Sequence, residues 1–180
     1  MITQVKQHCY VITGGPGMGK TSLINSLNQM GYKTIQESGR NIIQQQLASN
    51  GNALPWENQH AFAMKMWEAD FEAYTTSDTA VPTFFDRGFP DVIGYLRLCA
   101  LPVSDLMLQT AMDNRYNQHV FITPPWKAIY HQDDERKQSF AEAEDTYIQM
   151  KQLYTQLGYR VIELPLVPIA ERIEFILSNL

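Results

Sequence analysis

Short apolar runs alternate along the chain with longer stretches in which apolar residues recur every three or four positions. Five runs, at 8–13, 33–36, 81–86, 119–123 and 159–164, are rich in β-branched and aromatic residues and too short for ordinary helices, so they predict strands. The first, third and fourth are almost continuously apolar, as strands covered on both faces must be, and they are expected at the centre of a sheet. Between them, 20–30 reads as a helix stopped by Gly31, and 39–49 as a second stopped near Asn50-Gly51. Pro55 opens a longer helical pattern through about 74, with Trp56, Phe62, Met66, Trp67 and Phe71 on one stripe. Further helices are expected at 90–98, 103–114, 139–157 and 168–179. Strands separated by helices in this order predict an α/β fold of three layers, a five-stranded parallel sheet flanked by helices.

One segment departs from the pattern. Residues 123–137 follow the fourth strand, begin with Pro124-Pro125 and turn sharply polar, which suits a lid or an ordinary surface loop.

Composition narrows the picture. With 180 residues and 44% hydrophobic content the chain can bury one core, so 1–180 reads as a single domain. Its 14 basic and 19 acidic residues give a net charge of -5 without any block of Lys or Arg, which argues against nucleic acid or an anionic membrane as main partner. Cys9 and Cys99 sit in apolar runs, unlike a disulfide or metal framework, and His8, His60, His119 and His131 lack metal-ligand spacing. The beginning of the sequence has no leader pattern, and no apolar run reaches about 18 residues. A cytoplasmic protein is the expectation.

The strongest chemical signal follows the first strand directly. Gly14-Gly15-Pro16-Gly17-Met18-Gly19-Lys20-Thr21 fits G-x-x-x-x-G-K-[ST] in full, with a helical pattern after it, the context a phosphate-binding P-loop requires. Glycines allow successive N–H groups to turn inward, and the following helix presents its positive end. Lys20 can reach the terminal phosphates of ATP, the Thr21 hydroxyl suits Mg²⁺, and Ser22 is expected only to pack or cap.

Ligands of parallel α/β sheets bind beyond the carboxyl ends of the strands, which makes polar residues there candidates. Asp86 ends the third strand as a Walker B carboxylate would, holding Mg²⁺ directly or through water; a helix cap is the alternative. Arg87 follows, able to bind phosphate oxygens, clamp an acceptor or form an ordinary ion pair, and Gly88 would permit close backbone approach. At the end of the second strand, Glu37 could take a proton from an acceptor hydroxyl or cap the next helix, and Arg40 could hold an anionic group. Arg136 in the polar segment, three residues after Asp133, could neutralise charge on a transferred phosphoryl group; Lys127 and Lys137 are weaker candidates.

Together Gly14 to Ser22, Glu37-Ser38-Gly39-Arg40, Phe85-Asp86-Arg87-Gly88 and Asp133-Asp134-Glu135-Arg136 resemble the small AAA-domain P-loop ATPase and kinase-like family, related to the nicotinamide riboside kinase domain and to deoxynucleoside and thymidylate kinases. The resemblance runs from about Tyr10 to Leu164. It implies a P-loop NTPase fold with a lid segment, ATP phosphates on residues 14–21, Mg²⁺ at Asp86, phosphate contacts from Arg87, a base at Glu37 and a lid arginine at Arg136. The sequence departs from those kinases at Gly88, where they usually carry Ser, and lacks a recognisable base-reading motif; Gln59, Phe62, Met66 and Tyr95 are placed as a guess at the acceptor pocket. The function expected is ATP-dependent phosphoryl transfer to a small acceptor, a nucleoside, nucleotide or related metabolite. A stand-alone ATPase and an ATP-binding regulatory switch are the alternatives, and a homodimer is compatible with either.

Overall fold

The computed structural model describes residues 3–77, 80–130 and 139–180. A five-stranded parallel sheet is formed by β2 (Cys9–Gly14), β3 (Lys33–Ile35), β4 (Thr83–Asp86), β6 (His119–Thr123) and β7 (Arg160–Glu163), in the order β3-β4-β2-β6-β7. The three most apolar runs are its three central strands. Their alternate residues feed two cores. Cys9, Val11, Phe85, Val120 and Ile122 pack towards α3 (Gln59–Thr76), α4 (Pro90–Leu98), α5 (Asp105–Asp113) and α6 (Phe140–Gln156). Tyr10, Ile12, Phe84 and Phe121 pack towards α1 (Lys20–Gln29) and α7 (Ile169–Leu177). Burial on both faces explains why period-two alternation is absent from these strands.

The first core centres on aromatic rings. Phe89 is fully buried and meets Trp67, Phe71 and Tyr74 edge-on at centroid distances of 5.3, 5.2 and 5.2 Å, which fixes α3 across the start of α4. Removing such a ring typically costs about 3–5 kcal/mol.

Three expectations change. The helical pattern expected from Pro55 begins only at Gln59, because Asn58 caps α3 by accepting from the Ala61 amide at 3.0 Å. Trp56 therefore lies outside the helix and is 65% exposed rather than part of its stripe. A second, two-stranded sheet pairs β1 (Gln4–Val5) with β5 (Asn114–Arg115), strands too short to leave a pattern in sequence. Next to it, the buried Lys6 ammonium donates to the carbonyls of Thr75 and Ser77, both at 2.9 Å, and so closes the C-terminal end of α3.

The two cysteines form no disulfide; Cys9 is buried and Cys99 partly so. Among the described residues no helix is long and apolar enough to cross a membrane, and no group of three or more His, Cys, Asp or Glu side chains is placed to hold a metal ion.

Candidate active site

The carboxyl ends of β2, β3 and β4 bring the predicted polar residues together. Residues 14–19 form a tight loop between β2 and α1. Gly19, immediately before α1, adopts φ +82°, and at Gly15 a Cβ atom would run into the Ala143 carbonyl of α6, so side chains are excluded at both points. Lys20, only 5% exposed, folds back over the loop and donates to the Gly15 carbonyl at 2.7 Å. Thr21 is half-buried in the first turn of α1, and Ser22 is exposed.

The loop is braced from behind by residues outside the motif. Met18 is fully buried, and its sulfur receives the Trp126 amide at 3.2 Å. Arg172 of α7, 1% exposed, donates to the Met18 carbonyl at 3.3 Å and the Pro165 carbonyl at 3.0 Å, while its guanidinium lies 4.8 Å from the centre of the Trp126 ring. Nothing local in the sequence pairs residue 18 with residues 126 and 172. Burial lowers the pKa of Arg172.

Opposite the loop, Arg87 occupies a left-handed conformation, φ +70°, unusual for a residue with a Cβ. Its amide donates to the Ile12 carbonyl at 3.0 Å, and the turned backbone sends the guanidinium into a fork: Nε donates to Glu37 at 3.1 Å and one terminal nitrogen to Asp91 at 3.3 Å. Burial alone would weaken this cation, but Glu37, Asp91 and Asp86 more than offset it and raise its pKa. Burial would likewise raise the Glu37 carboxyl; Arg87 and Lys20, with Arg40 behind them, hold it below the usual carboxylate range. Glu37 precedes α2 (Ser38–Ser49) without a side-chain capping bond, so its partner is the arginine.

Asp91 is a functional candidate that the sequence reading missed. It is 4% exposed and accepts from the Thr13 hydroxyl, the Gly88 amide at 3.0 Å, the Tyr154 hydroxyl at 2.5 Å and Arg87. Its i,i+4 spacing from Arg87 across Pro90 was the available signal. Gly88 is confined by this network: a Cβ there would lie 2.9 Å from both the Tyr116 ring and the Tyr154 hydroxyl, so its close approach is to packed side chains.

Asp86 is 3% exposed, and one of its carboxylate oxygens is buried without a hydrogen-bond partner. Burial raises its pKa; Lys20 opposes this, and Glu37 and Asp91 contribute repulsion. An orphaned anionic oxygen beside a P-loop is what a divalent cation would satisfy, so the donor set fits Mg²⁺.

Along α3, Phe62, Met66 and Asp70 succeed one another at four-residue spacing and face the start of α2. A Cβ built on Gly39 would sit 3.5 Å from the Met66 sulfur and 3.6 Å from the Phe62 ring. Phe62 also meets Tyr95 edge-on at 5.8 Å. Gln59 does not join them; it borders a surface hollow with Pro55, Trp56, His60 and Leu101. Burial pushes the Asp70 carboxyl up to about 7; the Ser38 hydroxyl opposes the rise, Asp91 and Glu37 add to it, and Arg87 pulls against it. Arg40 is half-buried in the first turn of α2. Arg136 and the acidic residues before it lie outside the described residues; the neighbouring segment that is described contains a short 3₁₀ turn over Lys127–Ile129.

A P-loop facing a cluster of carboxylates and a guanidinium, at the carboxyl end of a β3-β4-β2-β6-β7 sheet, defines a P-loop nucleotide-binding protein. Comparison with protein families matches residues 9–172 to the family described as AAA domain, and the chain belongs to that family. Its fold is similar to deoxyadenosine kinase from M. mycoides with products dCMP and dCDP bound, at 12% identity and a TM-score of 0.66, covering 95% of this chain and 97% of that one. It is similar as well to NadR protein in complex with NR, at 18% identity and a TM-score of 0.68, covering 96% of this chain and 50% of that one. A third neighbour is shikimate kinase from Acinetobacter baumannii in complex with shikimate, at 14% identity and a TM-score of 0.58, covering 95% and 90%. No curated protein matches the chain.

Proposed function

We propose that the protein transfers the γ-phosphoryl group of ATP to a hydroxyl of a small acceptor of the nucleoside class. The observation that carries this reading is the Glu37–Arg87 ion pair, 3.1 Å long, set beside the buried Lys20 and Asp86 at the mouth of the P-loop. A carboxylate and a guanidinium locked together opposite the phosphate cradle suit an acceptor that has a hydroxyl to be both deprotonated and oriented. An acceptor hydroxyl there would find both a proton acceptor and a donor to orient it. The ligands named for two neighbours, a nucleotide pair and NR, support that class of acceptor, and the shikimate of the third supports only a small-molecule acceptor.

In this reading the amides of the 14–19 loop other than Pro16, which has none, cradle the β-phosphate, and Lys20 moves from the Gly15 carbonyl to the transferred phosphoryl group. Thr21 and Asp86 would hold Mg²⁺, which when bound would neutralise charge on the β- and γ-oxygens. Glu37, kept ionised by Arg87, accepts the hydroxyl proton as the new bond forms. Arg87, fixed by Asp91, keeps the Glu37 oxygen aimed at the acceptor. Arg40 offers charge to an anionic group at the far side of Glu37, and Arg136 is assigned the lid position from sequence. Catalysis of this kind rests on placement and charge stabilisation. The cytoplasm, where ATP and Mg²⁺ are abundant, is the expected compartment.

The test is a turnover assay of the purified chain with Mg²⁺-ATP and a panel of nucleosides, nucleotides and small polyols. Transfer of labelled phosphate to a nucleoside supports the reading. Phosphate release to water with no labelled acceptor overturns it.

A further inference from the structure

The bracing bonds of Arg172 account for the placement of its side chain and leave its charge unaccounted for. The guanidinium is 1% exposed, and its partners among the described residues are all neutral: the Met18 carbonyl, the Pro165 carbonyl and the Trp126 ring. Its remaining terminal nitrogen is buried without a hydrogen-bond partner. Among the described residues no carboxylate pairs with it; Glu37 and Asp91 are held by Arg87, and Glu163 by Lys151. A helix face that needed only packing would be served by Met or Leu, without the cost of stripping water from a cation.

The place of the charge supplies a reason for it. Gly19 stands directly before Lys20, and a Cβ built on Gly19 would lie 3.4 Å from a terminal nitrogen of Arg172, so the guanidinium touches the back of the loop that is shaped for phosphate. Resting on the nucleotide half of the phosphotransfer reading, we infer that Arg172 is a positioning residue for the nucleotide: its buried charge, acting through the back of the P-loop, draws the polyphosphate chain into the cradle and sets its affinity. Away from water a unit charge acts across several ångströms, and the Trp126 ring over the guanidinium limits screening by solvent. Lys20 serves the transferred phosphoryl group from the front of the loop. Arg172 is fixed by two carbonyls before any ligand arrives, and the polyphosphate is the anion that balances it.

Two substitutions separate charge from shape. Arg172→Gln keeps a donor for the Met18 carbonyl and loses the charge, whereas Arg172→Lys keeps both a donor and the charge. Calorimetry on the full chain uses ADP and inorganic tripolyphosphate, which share a phosphate chain and differ in the base and ribose. Arg172→Gln should raise the dissociation constants of both probes by a similar factor, about tenfold, and Arg172→Lys should stay within about threefold of the wild type. With ATP and an acceptor, Arg172→Gln should raise KM for ATP about as much and change kcat by less than about threefold. Equal losses in the two variants would make Arg172 a purely structural brace, and a loss for ADP alone would move its action to the base; either result overturns the inference. So does a wild-type chain that binds ADP but not tripolyphosphate. Should Arg172→Gln fail to fold, Arg172→Lys decides the matter: binding about tenfold weaker in a folded Arg172→Lys chain overturns the inference, and near-wild-type affinity upholds it. Affinity that follows the charge, without phosphoryl transfer to any acceptor, removes the phosphotransfer reading and leaves Arg172 standing. Transfer by a wild type whose Arg172→Gln variant binds both probes equally well does the reverse, and a wild type that binds neither probe removes both.

Discussion

The two sides of the site are built in opposite ways. The phosphate side is one contiguous loop whose geometry follows from glycines, a buried lysine and the start of α1. The side we assign to the acceptor is assembled from the ends of β3 and β4 and from α3 and α4, and its parts come from residues 37, 70, 87 and 91. A contiguous cradle takes its shape from its own backbone, and the distant Trp126 and Arg172 steady it at Met18. The acceptor side depends on long-range ion pairs, so a change at one residue redistributes charge over the rest.

That contrast can be broken most forcefully at Lys20. Lys20→Ala should lower phosphoryl transfer by roughly 10³-fold or more, because it removes a point charge from the transferred group, and a rate near wild type would refute the assignment. Glu37→Gln should lower transfer by about 10²-fold while ATP affinity, measured by calorimetry, stays within about twofold. Loss of stability with unchanged turnover would instead make Glu37 a structural partner of Arg87.

Asp91 sharpens the comparison on the side of folding. Asp91→Ala would strand the Thr13 and Tyr154 hydroxyls, the Gly88 amide and one arm of Arg87, so chemical denaturation should show a loss of about 3–5 kcal/mol. Asp70 gives the smallest effect and the opposite sign. Its folded pKa of about 7 exceeds the ordinary 3.8, so the native state holds a proton that the unfolded chain releases. The associated stability is complete below the ordinary value and is lost as pH rises through 7. Asp70→Asn should therefore raise the melting temperature at pH 8, by roughly 3–6 °C for about 1–2 kcal/mol, and by less at pH 5.

Much of the frame was legible in the sequence. The strand at 119–123 and the helix at 90–98 have the expected boundaries, and the central positions of β2, β4 and β6 follow from their unbroken apolar character. The helix expected from Pro55 was misplaced because the proline sits in a turn and the capping Asn58 governs the start. Asp86 and Glu37 could be singled out as candidates because strand ends are visible as the edges of apolar runs. Asp91 and Asp70 were not, since each lies inside a helical pattern where an acid reads as an ordinary polar position.

By itself the sequence determined the α/β alternation and the P-loop, both of which rest on local periodicity and on glycines whose freedom is a property of single residues. Only the tertiary structure decided that Arg87 turns left-handed to bind Glu37 and Asp91, that Arg172 and Trp126 brace Met18, and that Asp70 comes close enough to Glu37 and Asp91 to feel their charge. Those arrangements join residues tens of positions apart, and their charges acquire meaning only from the neighbours that folding brings within a few ångströms.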